Sequence, residues 1–550
     1  MTISSRRLRA HPAARLRWSA YAVALLCHTG SALAQLMPAQ VDPGALQRQE
    51  EERRRYLNEQ GQLKERPATV LDVPAPAAPA APASGVRFML SAVDFGPSKL
   101  LTEAELAAIA ARYIGREVDF TALSTLVEEI NAQYRSHGIV TARAVIGAQK
   151  IEHGVVKVDL VEARLERIDV QGNGYTTADY VTAAFADQQG QTLDTHVLEK
   201  RILRFNRGGD LRIEASLRPG ASVGATDLVL NLTEPPRYQT RLFVNNEGAR
   251  SVGAVQAGVD AAVNGLFGIN DRLSLYVART RGATSGMLAY AVPVNQYGGR
   301  VTASYSQGVT EVVAGPYRSL DISGKSKTLQ AGLVQPVWHA GAWWFDLAGT
   351  VARTRSDNEI GGLALSHTDV DNAALGATAA GTWDQRSINL AFTATHAREQ
   401  ALAKPERSFN IRQLRASWVE SVGGRSYSVV RTVLQDTDAT ILTPALLFQL
   451  GGVGTVRGYE VGALSGDRGY LVNAEFHHAP SAGIDASVFA DVGAVRTTGV
   501  PNQVAKSVGA AIDVQLGNAW RGNLTTARTL RQVLPDQARW RVTARASYEF

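Results

Sequence analysis

The sequence predicts α+β units followed by a 16-stranded antiparallel transmembrane β-barrel, in a chain that is exported. Three observations point there. After residue 34 no run of about 18 apolar residues occurs, so no membrane-spanning helix is expected. Between residues 86 and 235 the order strand, helix, helix, strand, strand occurs twice at a spacing of about 75 residues, as in a tandem repeat. Beyond residue 236 helix signals stop, and short segments alternate apolar and polar residues up to the final Phe550.

The chain begins with a pattern for export. Arg6, Arg7, Arg9, Arg15 and Arg17 precede the apolar stretch YAVALLC and the small-x-small triplet Ala32-Leu33-Ala34. This is a secretory signal peptide over residues 1–34, with the mature chain starting near Gln35; the apolar stretch is too short for a membrane anchor. The full sequence holds 57 Lys+Arg against 51 Asp+Glu, but five of the arginines and none of the acids lie in the signal, leaving 52 against 51. A mature chain so close to neutral gives no reason to expect nucleic acid as a partner. The one cysteine, Cys27, is also in the signal, and Leu26 before it is not the small residue that lipidation requires. A cysteine-free exported chain suits a bacterial envelope protein better than a small disulfide-stapled one.

Residues 35–68 are rich in charge and Gln. Asp42 before Pro43 is a good helix start, and Glu50 with Arg54 and Glu51 with Arg55 stand four apart, the spacing of helix ion pairs. A helix polar on all sides needs a wet surrounding such as a pore lumen; the alternative is a disordered tail. The Pro/Ala stretch VPAPAAPAAPAS, within residues 69–85, is a semi-rigid linker.

The first repeat unit, residues 86–164, opens with the strand VRFMLSAVDF, and Thr102 with Glu105 forms a capping box for its first helix. Its second helix, residues 120–137, lines up Leu123, Leu126, Ile130 and Tyr134 on one face before Gly138. Strands at VTARAVIGA and GVVKVDLVEA close it. The second unit, residues 165–235, has strands at ERIDVQG, LRIEASLRP and TDLVLNLTE, with helices near residues 177–186 and 193–205. Such units have open sheet edges that can take up an extended peptide, though a plain spacer role is the simpler alternative.

Residues 236–550 read as the barrel. In DRLSLYVART, Leu273, Leu275 and Val277 oppose Ser274 and Tyr276, and in SINLAFTAT, Ile388, Leu390, Phe392 and Ala394 oppose Asn389 and Thr393. Trp338, Trp343 and Trp344 beside a turn suit an interfacial girdle. Eleven strands fit before the glycine-rich run GGVGTVRGYE and five after it, about 16 in total, an even number as bacterial barrels require. The last strand, WRVTARASYEF, alternates cleanly and places Tyr548 and Phe550 on the apolar face. Terminal strands of bacterial outer-membrane barrels resemble it closely, and there the C-terminal Phe serves as an assembly signal.

The run GGVGTVRGYE raises the question of a phosphate loop. Its glycines match neither GxGxxG nor GxxxxGK, and more loop rather than a helix follows, so a nucleotide site is excluded. Together with FADVG at residues 489–493, it instead resembles the two-partner secretion transporters, the FhaC/ShlB-like TpsB family of the BamA-like superfamily. The likeness spans the mature chain, with its N-terminal helix, Pro-rich linker, POTRA-like repeat units and barrel. It implies that residues 438–469 form a plug loop whose motif Val456, Arg457, Gly458 and Tyr459 folds back into the lumen. Arg457 would meet Asp491 of the wall motif Phe489, Asp491 and Gly493. The alternation in SVFADVGAV independently turns Phe489, Asp491 and Gly493 inward. Gly493 would leave room for the guanidinium, whose planar fork suits a carboxylate. A wet lumen would leave that pair to set loop position more than to add stability.

The resemblance further implies location in the bacterial outer membrane with the N-terminal domains in the periplasm. It implies secretion of a large adhesin- or haemolysin-like exoprotein captured by the POTRA-like units, and a polar plug helix that occupies the pore at rest. Outer-membrane lipids and lipopolysaccharide, and the barrel assembly machinery during biogenesis, are further expected partners. The alternative is a barrel assembly factor, though such insertases usually carry more POTRA domains and lack the helix and linker. A plain porin would not need periplasmic units. No enzymatic role, cofactor or metal is expected, because the histidines are scattered and His477-His478 lacks a partner at ligand spacing.

Overall fold

The computed structural model describes residues 41–62, 71–72 and 87–550 apart from 138, 140, 223 and 403. The signal at 1–34 and most of the linker at 69–85 lie outside these residues.

Sixteen strands close into one antiparallel barrel, eleven between Tyr238 and Thr437 and five between Arg468 and Glu549. Alternation sorts each strand. Along Ile484–Arg496, Val488 is exposed while Phe489 and Asp491 are buried, and the same period repeats around the wall. The outward row is apolar in its middle, for example Leu275, Leu347, Leu375 and Phe392, as a lipid-facing surface requires. The first and last strands pair directly from Arg241↔Glu549 to Asn245↔Arg545, a shorter ladder than the one from Tyr238↔Val263 to Asn245↔Gln256 beside it. Phe550 lengthens that seam by exchanging hydrogen bonds with Thr240, at 3.0 and 3.1 Å. Its ring stays exposed beside Tyr548, which in turn packs on Trp520.

Two α+β units precede the barrel. In the first, the helix Glu103–Ala110 starts with a full capping box between Thr102 and Glu105. The helix Phe120–Ser136 buries Leu123, Leu126, Ile130 and Tyr134 against a sheet in which Ala92–Phe95 runs parallel to Val155–Val161. In the second, the helices Ala178–Ala183 and Thr195–Arg207 bury Val181, Leu198, Ile202 and Phe205 against Arg164–Gln171, Arg212–Pro219 and Ala225–Thr233. Residues Leu71–Asp72 add a short parallel strand to the free edge of Arg212–Pro219, facing Ala215 and Ser216.

The second unit is fixed to one rim of the barrel. Thr177 N–H donates to Gly268 O at 2.9 Å, Arg300 donates to Gly208 O at 2.7 Å, and Arg272 pairs with Asp210 at 2.8 Å. Arg207 grips Asp346 through two bonds, at 3.2 and 2.5 Å, with its guanidinium 4.6 Å from the Trp344 ring centre. Trp344 therefore does not belong to the lipid-facing girdle that its neighbours suggest. Strand alternation turns it inward to the rim, while Trp338, half exposed, stays on the outer face against Phe345. Glu234, between unit and barrel, accepts the N–H groups of Gly174, Tyr175 and Thr176. Burial raises its carboxyl, but those bonds more than offset this and leave it below its ordinary value.

Candidate functional site

The lumen is filled by two elements. The first is the helix Pro43–Gln62, started by Asp42, whose carboxylate accepts the Ala45 N–H at 2.9 Å. Several of its polar side chains meet polar groups of the wall and of the loop. Gln47 donates to Ser306 at 2.5 Å, Arg48 to Gln435 at 3.2 Å and Ala445 O at 3.1 Å, and Arg415 reaches Glu52 at 2.6 Å. Arg53 is the main anchor, holding Glu50 on its own helix at 2.6 Å and Glu247 on the wall at 2.8 Å. Tyr276 joins this group by donating to Glu50 and accepting from Arg53 at 3.2 Å. Among the described residues the ion pairs within the helix are Glu50–Arg53 and Glu52–Arg55, three apart rather than four, and Arg54, expected to meet Glu50, lies instead 4.3 Å over the Tyr276 ring.

The second element is the glycine-rich loop, which folds inward as a small hairpin, Phe448–Leu450 with Leu464–Gly466. Gly451, Gly452, Gly454 and Gly458 all have positive φ, between 87° and 114°. Gly454 packs where a Cβ would stand 3.1 Å from Tyr56 of the helix, so the loop tip and the helix touch. Val456 is fully buried among Phe448, Leu450, Leu464 and Leu471. Tyr459 threads through the wall's inner face, donating from its hydroxyl toward Lys506 O at 2.9 Å and Arg531 O at 2.7 Å and accepting Lys506 N–H at 3.0 Å.

Between these anchors Arg457 meets Asp491. Arg457 Nε donates to Oδ2 at 2.9 Å and Nη2 to Oδ1 at 2.7 Å, and the Arg457 main-chain N–H adds a third bond at 3.0 Å. The Phe489 ring centre lies 3.5 Å from the guanidinium carbon. The surroundings are dry rather than wet: Arg457 is 7% and Asp491 3% exposed. Loop, helix and Phe489 together exclude water here, so removing one partner leaves the other buried, unlike an exposed pair.

Gly493 serves a different purpose from making space for the arginine. A Cβ there would fall 2.8 Å from both methyl groups of Leu450, so the glycine receives the loop hairpin's own apolar side chain.

Sequence reasoning missed the rest of the network. Glu475 bridges Arg457 at 3.0 Å and Arg431 at 3.2 Å, and accepts the Tyr56 hydroxyl at 3.3 Å. Asn473 joins Asp491 at 2.8 Å to the Thr455 carbonyl at 2.8 Å. His477 lies between Glu475 at 2.9 Å and Asp485 at 3.2 Å, with Tyr427 donating to Asp485 at 2.6 Å. A signal existed: in NAEFHH, Asn473, Glu475 and His477 recur at period two, and Asn473 faces Asp491 directly in register. Among the described residues no three His, Cys, Asp or Glu side chains are grouped to hold a metal ion. The arrangement locks a loop and a helix in place; it is a fastening.

Residues 224–516 match the family described as haemolysin secretion/activation protein ShlB/FhaC/HecB, and residues 88–163 match the ShlB-type POTRA domain. The heme/hemopexin transporter protein HuxB of Haemophilus influenzae is 26% identical over 490 residues, covering 81% of this chain and 84% of that one. The outer membrane transporter CdiB of Dickeya dadantii is 24% identical over 414 residues, covering 70% and 71%. The solved structure of CdiB from Escherichia coli shares the fold with a TM-score of 0.71 at 20% identity, over 91% of this chain and 98% of that one.

Proposed function

The chain belongs to the haemolysin secretion/activation family ShlB/FhaC/HecB, and on that footing we propose that it is the outer-membrane transporter of a two-partner secretion pair, exporting one large adhesin- or haemolysin-like exoprotein. Its barrel spans the outer membrane and its POTRA units stand in the periplasm. The observation that carries this reading is the double occupation of the lumen. A helix of 20 residues and an inward-folded loop both fill the barrel, each held by bonds that can be exchanged one for another. A conduit for polypeptide needs such a removable closure; a passive pore does not.

The exoprotein would be captured in extended form along a POTRA sheet edge. In support, the edge strand Arg212–Pro219 already accepts Leu71–Asp72 as an added strand. A partner strand taking that edge would displace residues close behind the lumenal helix and so link capture to release of the helix. No nucleotide is present outside the inner membrane, so folding of the product beyond the cell surface would draw the chain across. Biogenesis would use the barrel assembly machinery, guided by the terminal strand that ends in Tyr548 and Phe550.

The test compares a gene deletion with its parent, in culture medium and in outer-membrane profile. Loss of one large exoprotein, restored by the wild-type gene but not by Arg457→Ala at normal membrane levels, supports a dedicated transporter with a working plug loop. A broad fall in other barrels with no missing exoprotein would make this an assembly factor instead.

A further inference from the structure

The outer wall directly behind the Tyr459 anchor carries cations with no carboxylate to meet them. On the strand Gln503–Leu516 the outward row ascends through Val514, Ile512, Ala510 and Val508 to Lys506. On the next strand, Trp520–Thr529, it ascends through Leu524 and Thr526 to Arg528. The register sets Arg528 opposite Val508 and the Lys506 carbonyl opposite Leu530, so the two cations are diagonal neighbours on one face. Both are exposed, and neither makes an ion pair among the described residues; Arg496, which ends the preceding strand Ile484–Arg496, and Arg531, two residues beyond Thr529, are likewise exposed and without an ion pair among the described residues.

Depth is fixed by the aromatic residues. Trp520 and Tyr548 mark the periplasmic end of these strands, and Trp540 stands opposite Arg528 at the other end. Eight residues at the usual strand rise and tilt put roughly 20 Å between the two levels, close to the height of a barrel's apolar band. Lys506 and Arg528 therefore lie where the acyl chains end and the headgroups of the outer leaflet begin. Elsewhere on the outer wall two arginines bring their own counter-ion, Arg353 holding Asp371 at 2.6 Å through two bonds and Arg355 holding Asp369 at 2.7 Å, while Arg279, Lys325 and Lys327 make no ion pair among the described residues. Around Lys506 and Arg528 the neighbouring outward positions on their own strands, and just past the end of the second, are uncharged: Val504, Val508, Thr526 and Leu530. The nearby acid in sequence, Asp536 on the following turn, is exposed and pairs with none of them.

The geometry points to a binding site for the phosphate groups of the phosphorylated glycolipid of the outer leaflet, formed by Lys506 and Arg528 with Trp540 beside it. The inference rests on the outer-membrane placement of the barrel. Cations held at this level, with apolar wall below them, select an anion carried on acyl chains over a free one, and an arginine fork binds phosphate through two bonds. The site is backed by function-bearing structure, because the N–H and carbonyl of Lys506 hold the Tyr459 hydroxyl on the inner face.

The test is native mass spectrometry of the full-length detergent-extracted protein, titrated with bisphosphorylated lipid A and with the same lipid after removal of its phosphates. The parent should prefer the phosphorylated lipid by about tenfold or more. Lys506→Gln/Arg528→Gln should lose that preference, and Lys506→Arg/Arg528→Lys should keep it. A parent without preference, or a folded double-glutamine variant that retains it, would overturn the site. A second measurement needs no variant: phosphorylated lipid should shield Lys506 from an amine-reactive label, while the dephosphorylated lipid should not. Equal labelling under both lipids would refute the assignment even if the double variant failed to fold.

Discussion

Replacing Arg457 with alanine tests whether the buried pair holds the loop in the lumen. In the parent, Asp491 is served by two guanidinium bonds, the Arg457 N–H and Asn473, and Glu475 by Arg457, Arg431, Tyr56 and His477. Breaking a buried ion pair by removing one partner costs roughly 3 to 5 kcal/mol. The main-chain bond, Asn473 and Arg431 remain, which places the loss near the lower limit, about 3 kcal/mol, or on the order of a hundredfold in the population of the lifted loop. The sixteen-stranded ladder does not involve this side chain, so the barrel should still assemble and show heat-modifiable migration. The assay uses Val456→Cys, a fully buried position in a sequence whose one native cysteine is Cys27, replaced by serine as a control, and follows labelling by a membrane-impermeant maleimide. Arg457→Ala should label about a hundred times faster, and Arg457→Lys, which keeps charge but loses the fork, should fall between. A labelling rate within threefold of the parent for Arg457→Ala would refute the idea that this pair fastens the loop.

At the helix, Arg53→Gln removes the link to Glu247, whose remaining cation is Arg545 at 3.7 Å, and should weaken helix retention by about 2 kcal/mol. The readout is ion conductance in planar bilayers, expected to rise several-fold; an unchanged conductance would count against the helix as the closure. At the rim, Arg207→Ala loses two bonds to Asp346 and the contact with Trp344, about 1 to 2 kcal/mol, and should broaden spin-label distances between second unit and barrel. In the first unit, hydrogen bonds from the Thr102 hydroxyl and N–H and from Gln133 lower the Glu105 carboxyl to about 2. A folded-state value below the unfolded one contributes stability that is complete above about 4.5 and is lost as pH falls toward 2. Hydrogen exchange of the helix Glu103–Ala110, corrected for intrinsic rates, should therefore speed up over that window in the parent and be nearly flat in Glu105→Gln.

The barrel was readable because its period is covalent: side chains alternate on every strand, and lipid on one side makes the alternation apolar. Strand number and the inward aim of Phe489, Asp491 and Gly493 follow from that. Who meets whom inside does not follow. An inward polar residue such as Glu475 or Gln435 looks like any lumen residue until the register is known, and Glu247 finds Arg53 across 194 positions. Local rules had the same limit in the helix, where spacing suggested Glu50 with Arg54 and Glu51 with Arg55, and the wall drew Arg54 onto the Tyr276 ring while Glu50 paired with Arg53. The dryness around Arg457 was hidden for a related reason. Whether a lumen is wet depends on what fills it, and the filling comes from two segments some 400 residues apart in the chain. Gly493 shows how a correct face can carry a wrong purpose: the missing Cβ admits Leu450, which only the fold of the hairpin brings there.

The two closures of the lumen share a residue, and this bears on how the barrel would open. Glu475 accepts from Tyr56 of the helix and pairs with Arg457 of the loop, while Arg431 of the wall lies 4.8 Å over the Tyr56 ring. If the helix leaves, Glu475 loses a donor and Gly454 loses the ring it packs on, yet Arg431 still neutralises that carboxylate, His477 still lies 2.9 Å from it, and Asp491 still holds Arg457. Helix departure therefore loosens the loop without unfastening it. The converse is costlier: lifting the loop withdraws Arg457 from two buried carboxylates at once and strips Tyr56 of its packing. The network thus favours an order of events in which the helix moves first and the loop, if it moves, follows.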